Sequence, residues 1–457
     1  MPGCDRALVT AALLAAAATA AAQSDILYNR PGSGARAAGM ANAFIGISDD
    51  GTAASWNPAG LAQLRKPELS VVSNTSRRSG STAGFRSRDD SVRYSPTHSA
   101  FIDTSLDFAS IAVPLSVRGK PITVQGSWRR LYALGYRQNI ETTREPLGLS
   151  AAVPARIQLN GDLLGSVNHL SLAGAVKVTP RLALGASLNR WYGEWEERID
   201  VTETPDGGSP QFRNTRQWNR IRGDNYSVGL MLTYPRWSVG LIHLSPLRST
   251  FDADASIVTN VSTAMRDESI RDGTLRFSRG FGAGAAWRPA SPWTIAADLT
   301  WDEWTGALLE LPGQGAFSIF DGMPEGRGAT RDTISMNLGA ERLFHGDGFV
   351  VPLRFGAALE PQGGRSPYTR DPVNWVMLAA GTGYNTNSLK FDAAVQYRWT
   401  DVLDGGHFGV ADPPSSDLPS AVGERSLREW RAKFSVILRV TDTQKLGEAL
   451  GKIFGTR

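Results

Sequence analysis

From Leu389 to Trp399 the chain alternates strictly: the odd positions are Leu389, Phe391, Ala393, Val395, Tyr397 and Trp399, the even ones Lys390, Asp392, Ala394, Gln396 and Arg398. Successive side chains of a β-strand point to opposite faces, so a strand here has one apolar face and one wet face. The same split sets Trp293, Ile295, Ala297, Leu299 and Trp301 against Thr294, Ala296, Asp298, Thr300 and Asp302. It sets Ile334, Met336, Leu338 and Ala340 against Ser335, Asn337, Gly339 and Glu341. Leu170, Leu172, Val176 and Val178 likewise oppose His169, Ser171, Ala173, Ala175 and Lys177. Aromatic residues close several apolar faces, as Trp293 and Trp301 do, which suits rings seated at two membrane interfaces. About ten residues, each rising ~3.3 Å at a tilt of ~40°, climb roughly 25 Å, the height of a transmembrane barrel's apolar band.

Segments of this kind begin near Glu68, Phe101, Lys120, Val167, Arg181, Arg222, Arg236, Gly273, Trp293, Arg331, Val350, Val373, Ser388 and Ser426. That makes about fourteen, an even number, as a closed antiparallel barrel with both ends on one side requires. Tight turns at 178–181, 234–237, 288–292, 345–348 and 385–388 alternate with long polar stretches around 75–98, 139–165, 200–221, 251–272, 305–330 and 402–425. Short turns on one rim and long loops on the other predict an all-β fold, a transmembrane antiparallel β-barrel of about 14 strands over 66–440. The competing soluble sandwich or propeller would use strands of about five or six residues and has no need of aromatics at both ends of an apolar face.

The mean hydropathy of −0.22 resembles that of a soluble protein, but only every second residue of a barrel strand must face lipid. The net charge of +4 is small for 457 residues and the bases are scattered, so no nucleic-acid footprint is expected. Residues 1–22 read as a signal peptide, with an Ala/Leu-rich run from Ala7 and a small-residue cleavage site at Ala20-Ala21-Ala22. Export would place the chain in the outer membrane of a Gram-negative bacterium. Cys4, the only cysteine, falls in that leader, so no disulfide or thiol chemistry is expected in the mature chain.

Between the leader and the first strand, residues 23–65 contain Gly34-Ala35-Arg36-Ala37-Ala38-Gly39-Met40, the pair Asp49-Asp50, and Trp56-Asn57-Pro58-Ala59-Gly60-Leu61. Small residues let such a segment fold compactly. Arg36, Asp49 and Asp50 can pair with polar groups on an inner wall, and Asn57-Pro58 sets a turn into the first strand. A barrel of about fourteen strands leaves a bore that something must fill, so these residues predict an N-terminal plug, against the alternative of an unstructured leader. The G-x-R-x-x-G-M stretch, the acidic pair and the closing W-N-P-A-G-L resemble the N-terminal hatch of the FadL/TodX family of outer-membrane transporters for hydrophobic compounds. The resemblance implies a plug built on Arg36, Gly39, Asp49, Asp50, Asn57 and Pro58. It also implies passive passage of lipophilic ligands, such as long-chain fatty acids, collected by extracellular loops and released through an opening in the wall.

Candidate loop contacts for a fatty acid-like ligand are Leu159, Leu163, Leu308, Phe317 and Phe320; the same residues could equally pack on one another to cap the barrel. Strand parity turns Lys177, Arg354, Lys390 and Arg398 inward, where they would meet an anionic head group or join an ordinary salt-bridge network. No G-x-S-x-G elbow is present, His169 and His243 sit in no nucleophile pattern, and Gly280 to Gly284 precedes no helix. Asp252-Ala253-Asp254 lacks the rest of a calcium loop. No enzyme, cofactor or metal site is expected. In the tail, 441–457, Leu446, Leu450, Ile453 and Phe454 would share one face of a short helix, a candidate dock for a periplasmic partner. A barrel subunit of a secretion or assembly system, and a general porin, are the alternative functions.

Overall fold

The structure, a computed structural model, describes residues 32–440 apart from 88, 149, 151, 262–265, 290–291, 321–322, 329, 366–370 and 407–420. The expected leader, residues 23–31 and the tail from 441 lie outside the described residues.

The alternating segments pair in chain order. The first seven barrel strands are β1 (Glu68–Thr82), β2 (Thr97–Val117), β3 (Lys120–Ala133, continued by Tyr136–Pro146), β4 (Ala155–Lys177), β5 (Leu182–Pro205), β6 (Gln211–Thr233) and β7 (Trp237–Leu244, continued by Leu247–Thr259). The second seven are β8 (Arg266–Phe277, continued by Gly280–Trp287), β9 (Trp293–Asp302), β10 (Thr333–His345), β11 (Val350–Arg365), β12 (Pro372–Asn385), β13 (Leu389–Gly406) and β14 (Ala421–Arg439). Each is antiparallel to its neighbours, and β14 returns to β1 from Glu68↔Arg439 to Thr82↔Arg425, closing a 14-stranded barrel. Closure leaves no sheet edge along that junction, which a bilayer demands because it offers no water to unpaired backbone.

The predicted parity holds. Phe391 and Val395 are exposed outward while Lys390, Asp392, Gln396 and Arg398 are buried inward. Outward Leu188 (67%), Ile102 (63%), Leu172 (61%) and Leu338 (60%) make the lipid-facing band. Two aromatic rings bound it: Trp237, Trp287, Trp293, Phe344 and Tyr384 at the short-turn rim, and Tyr192, Tyr226, Phe281 and Trp430 on the other side. No helix among the described residues is long and apolar enough to cross a membrane; strands make the crossing.

Three of the expected long loops are mostly strand. The stretches 139–165, 200–221 and 251–272 belong to β3 through β8, whose ladders continue well past the second aromatic ring. Beyond the bilayer both faces meet water, so outward positions become Arg190, Glu194, Arg220 and Asp224, joined as Arg190–Asp224 at 2.5 Å and Arg220–Glu194 at 2.8 Å. The apolar alternation that marks a strand is lost there although the backbone pairing is not. The stretch 75–98 likewise holds the end of β1 and a small hairpin, Phe85–Ser87 with Val92–Tyr94.

Candidate functional site

Residues 32–64 pack against the inner wall. Helix α1 (Ala35–Gly39) and the 3-10 turns Ala53–Ser55 and Pro58–Gln63 bury Ala37, Met40, Phe44, Ile47 and Leu61 almost completely. The wall makes room with glycine. A Cβ on Gly339 of β10 would stand 2.6 Å from the Met40 carbonyl oxygen, and one on Gly185 of β5 would collide with the Ala59 nitrogen. Gly229, Gly240, Gly284 and Gly356 would meet the segment as closely. Inward polar side chains then satisfy the segment's backbone. Asp298 accepts from the amides of Phe44 (2.6 Å) and Ile45 (2.7 Å), Asn337 donates to the Ala41 carbonyl (2.8 Å), and Gln125 donates to that of Gly51 (2.6 Å). Buried backbone groups without partners are costly, so these bonds make a specific seat.

Arg36 bonds Glu341 of β10 through two nitrogens, at 3.1 and 3.0 Å, and also pairs with Asp49. Burial alone would push the Asp50 carboxyl up, but the charges of Lys390 and Arg36 and two donors from Thr52 hold it below the usual carboxylate range. Asn57 accepts from the Ala59 amide at 3.1 Å, with Pro58 opening the turn, and donates to the carbonyls of Ile45 (3.3 Å) and Leu230 (3.1 Å). Gly39 lies against Gly381 of β12, where a side chain on either would collide with the other's Cα.

Above the segment the lumen has two unlike halves. Directly above the segment the half from β4 to β7 is neutral: Ser187 and Ser227 lie 2.7 Å apart, Asn189 donates to Asn225 at 3.0 Å, and Trp191 donates to Asn225 at 2.8 Å, the buried Glu196, Glu197 and Glu203 of β5 lying nearer the long-loop end. The half from β10 round to β1 is charged. Arg354 bonds Glu341 and Asp392, both at 2.7 Å, and Arg398 pairs with Glu360 and, at 3.2 Å, with Glu429. Glu429, with no exposed surface, also takes Arg78 at 3.4 Å and Arg431 at 2.9 Å; Lys433 bonds Asp107 at 2.9 Å.

Each half holds a cavity. The first, of about 110 Å³, lies between Ile45 and Trp56 of the segment and His169, Asn189, Trp191 and Asn225 of the neutral wall. The second, of about 100 Å³, reaches Arg398, Arg431 and Lys433 on one side and Phe101, Asp103, Arg130 and Gly135 on the other. Gly32, Arg129, Leu131 and Glu360 line both, so the two are contiguous.

The second cavity abuts a seam. The β2–β3 ladder runs from Val117↔Lys120 to Phe108↔Arg129 and stops. Above it β2 pairs with β1 and β3 with β4, until Ser95 meets Thr143 at 3.1 Å and Val92–Tyr94 pairs with Arg144–Pro146. Outward Ile102 and Leu106 flank the unpaired stretch, and the register Arg77↔Ile102, Arg77↔Trp430 puts Ile102 level with the second aromatic ring.

The four predicted inward bases therefore stand apart. Arg354 and Arg398 are committed to wall carboxylates, Lys390 is buried near Asp50 and Glu68, and Lys177 is half-buried at the short-turn end of β4. Only Arg398 lines a cavity named above. The five loop candidates divide between two apolar clusters. Leu163, Leu308 and Phe320 join Trp191, Phe277 and Trp304, whereas Leu159 packs with Phe85, Tyr94, Ile157 and Val201. Leu159 and Leu163 are strand residues of β4 facing inward, not loop residues, for the reason already given for the water-exposed strand ends. Phe317, half-buried, pairs with Leu309 in the hairpin Leu308–Leu311/Gly315–Ser318. Sequence reading missed the wall glycines, visible as glycine in inward slots such as Gly339, the base Arg130, which lies at a break in the alternation, and Arg431, which strand parity places inward with Glu429 and Lys433. It also missed an aromatic ladder, Phe320–Trp304–Phe277–Trp191, with centroid spacings of 5.5, 6.2 and 6.1 Å, descending to the first cavity. Among the described residues no group of three or more His, Cys, Asp or Glu could hold a metal.

These features define a 14-stranded transmembrane barrel with its N-terminal segment against the inner wall. Within that class the fold is the one seen in FadL-like and TodX-like channels. A FadL homologue of Pseudomonas aeruginosa matches with a TM-score of 0.62 at 13% identity, over 90% of this chain and 98% of that one. The P. putida toluene transporter TodX matches at 0.58 and 11%, over 91% and 100%, and the Ralstonia pickettii toluene transporter TbuX at 0.51 and 11%, over 90% and 100%. No family model and no curated protein matches the sequence.

Proposed function

We propose that the protein is a passive outer-membrane channel for hydrophobic compounds bearing an acidic head group, fatty acid-like in form, with residues 32–64 as its plug. The observation that carries the reading is the charged cavity opening against an unpaired seam in the wall. The Nε–H groups of Arg130, Arg398 and Arg431 are buried there without an acceptor. A carboxylate would satisfy them, and unsatisfied buried donors cost about 1–3 kcal/mol each. The ligand's apolar body descends the aromatic ladder, crosses the neutral cavity and leaves sideways between β2 and β3, where Leu106 and Ile102 meet lipid. The plug blocks the straight route to the periplasm. The structural neighbours named as toluene transporters support a hydrophobic cargo, and no nucleophile or metal centre among the described residues argues for an enzyme.

The test is organic extraction and mass spectrometry of the detergent-purified barrel. Enrichment of amphiphilic acids over the detergent control is the expected result. A stoichiometric protein partner with no enriched ligand would move the assignment to a secretion subunit, and neutral hydrocarbons alone would remove the head-group assignment while leaving the channel.

A further inference from the structure

The two rims differ in how far carboxylates accompany their exposed bases. On the long-loop side several outward arginines have carboxylate partners, the exposed Arg190–Asp224 (2.5 Å), Arg220–Glu194 (2.8 Å) and Arg271–Asp254 (2.5 Å) and the half-buried Arg428–Asp401 (3.0 Å), while the exposed Arg216, Arg222 and Arg248 have no ion pair among the described residues. On the short-turn side Arg65, Lys66, Arg118, Lys120, Arg181 and Arg236 are all exposed, and none has an ion pair among the described residues. The exposed carboxylate near these turns is Asp347 alone among the described residues. The bases follow the turns from the start of β1 to the start of β7, so they form an arc and not a point.

At two arginines of this rim aromatic rings fix the depth. The Arg181 guanidinium lies 4.6 Å from the Tyr234 ring centroid, and that of Arg342, also exposed, lies 5.4 Å from Trp293 and 4.8 Å from Phe344. Trp293 and Phe344 belong to the ring that marks the head-group level. Stems lying on rings with charged heads at that level face lipid and not the lumen. An unpaired guanidinium at the depth of phosphodiesters finds there the anion whose geometry it matches.

We propose that the short-turn rim is a binding belt for anionic phospholipid head groups of the leaflet it faces. The belt depends on the barrel and its orientation, not on what the lumen carries.

The experiment uses the full mature protein in micelles containing equal amounts of phosphatidylglycerol and phosphatidylcholine, with retained lipid counted by native mass spectrometry. Wild type should retain phosphatidylglycerol in roughly tenfold preference. The variant R118Q/K120Q/R181Q/R236Q should lose most of that preference, and R190Q/R220Q on the opposite rim should keep it. Heat-modifiable gel mobility checks that each variant is folded. If the quadruple variant does not fold, wild type at about 0.5 M salt gives the same reading, because screening at that strength weakens exposed charge interactions. Equal retention of the two lipids by wild type, equal loss in both variants, or a preference insensitive to salt would overturn the proposal. So would retention of an acidic polypeptide in place of lipid.

Discussion

The inner wall from β4 to β7 and the inner wall from β10 round to β1 share one backbone scheme and differ in what their side chains ask of a ligand. On the neutral side Ser187, Asn189, Asn225 and Ser227 bond one another, and each can exchange a neighbour for water or for a passing molecule at a net cost near 1 kcal/mol. On the charged side three arginines share the fully buried Glu429, so loss of one member strands the rest. Both halves seat the N-terminal segment, but the neutral half keeps groups that trade partners cheaply and the charged half ties its members into one shared network. In the proposed channel the charged half would meet a ligand beside the seam, where the Nε–H groups of Arg130, Arg398 and Arg431 lack acceptors.

That division can be broken most forcefully at Glu429. Glu429→Leu should destabilise the barrel by about 3–5 kcal/mol, because it leaves the buried Arg398 and the half-buried Arg78 and Arg431 without their shared carboxylate. The urea midpoint of the barrel folded into vesicles reads this, and a shift no larger than that of Asn225→Ala would contradict the contrast between halves. Next comes the seat of the segment. Gly339→Leu puts atoms where the Met40 carbonyl now lies, an overpacking worth about 1–3 kcal/mol. The expected outcome is a folded barrel with raised conductance in planar bilayers; unchanged conductance would mean that the segment does not close the bore. Deletion of 23–61 should raise it further.

A gentler probe separates head group from body. Arg431→Gln removes one charge-assisted donor, worth about 1.5–3 kcal/mol, so retention of a long-chain carboxylate should fall by roughly ten- to a hundredfold. Retention of the matching neutral alcohol should barely change, and parallel loss of both would assign Arg431 to structure alone. Acidification is subtler. Asp50 is held below its usual range by Lys390 and Arg36, so its contribution is complete above about pH 4, the ordinary Asp value, and fades as pH falls through the lower folded value. Conductance rising only below about pH 4 in wild type, and at all pH values in Asp50→Asn, is the expected pattern. The smallest effect belongs to Asn225→Ala, about 1 kcal/mol, with transport of neutral ligands little altered.

Much of the fold was legible because the bilayer imposes a period-two code on each crossing segment, and every predicted segment has its strand. The limits of the strands were less so: β4, β6 and β8 begin well before Val167, Arg222 and Gly273, because outside the hydrocarbon nothing forces the outward face to be apolar. Parity placed Arg354, Lys390 and Arg398 inside but could not say that Glu341, Asp392, Glu360 and Glu429 would face them, since those partners come from other strands and depend on register. The seam was invisible for the same reason. It is not a property of β2 or β3 alone but of a ladder that ends at Phe108↔Arg129. Nothing in the local sequence around Leu163 distinguishes a protruding strand from a loop.

The junction of β14 with β1 also sets an order of events. It joins Arg439 to Glu68 across 371 positions of sequence, and the amide of Ala35 donates to Ser435 at 3.3 Å across 400. A contact that distant cannot form until the last strand has been made, and the loop it closes is entropically expensive. The N-terminal segment precedes every strand of the wall in the chain, so its contact with β14 can form only after all the others have been made. The last contacts to form are thus the ones that span nearly the whole chain, and they join the seat of the N-terminal segment to the closure of the wall.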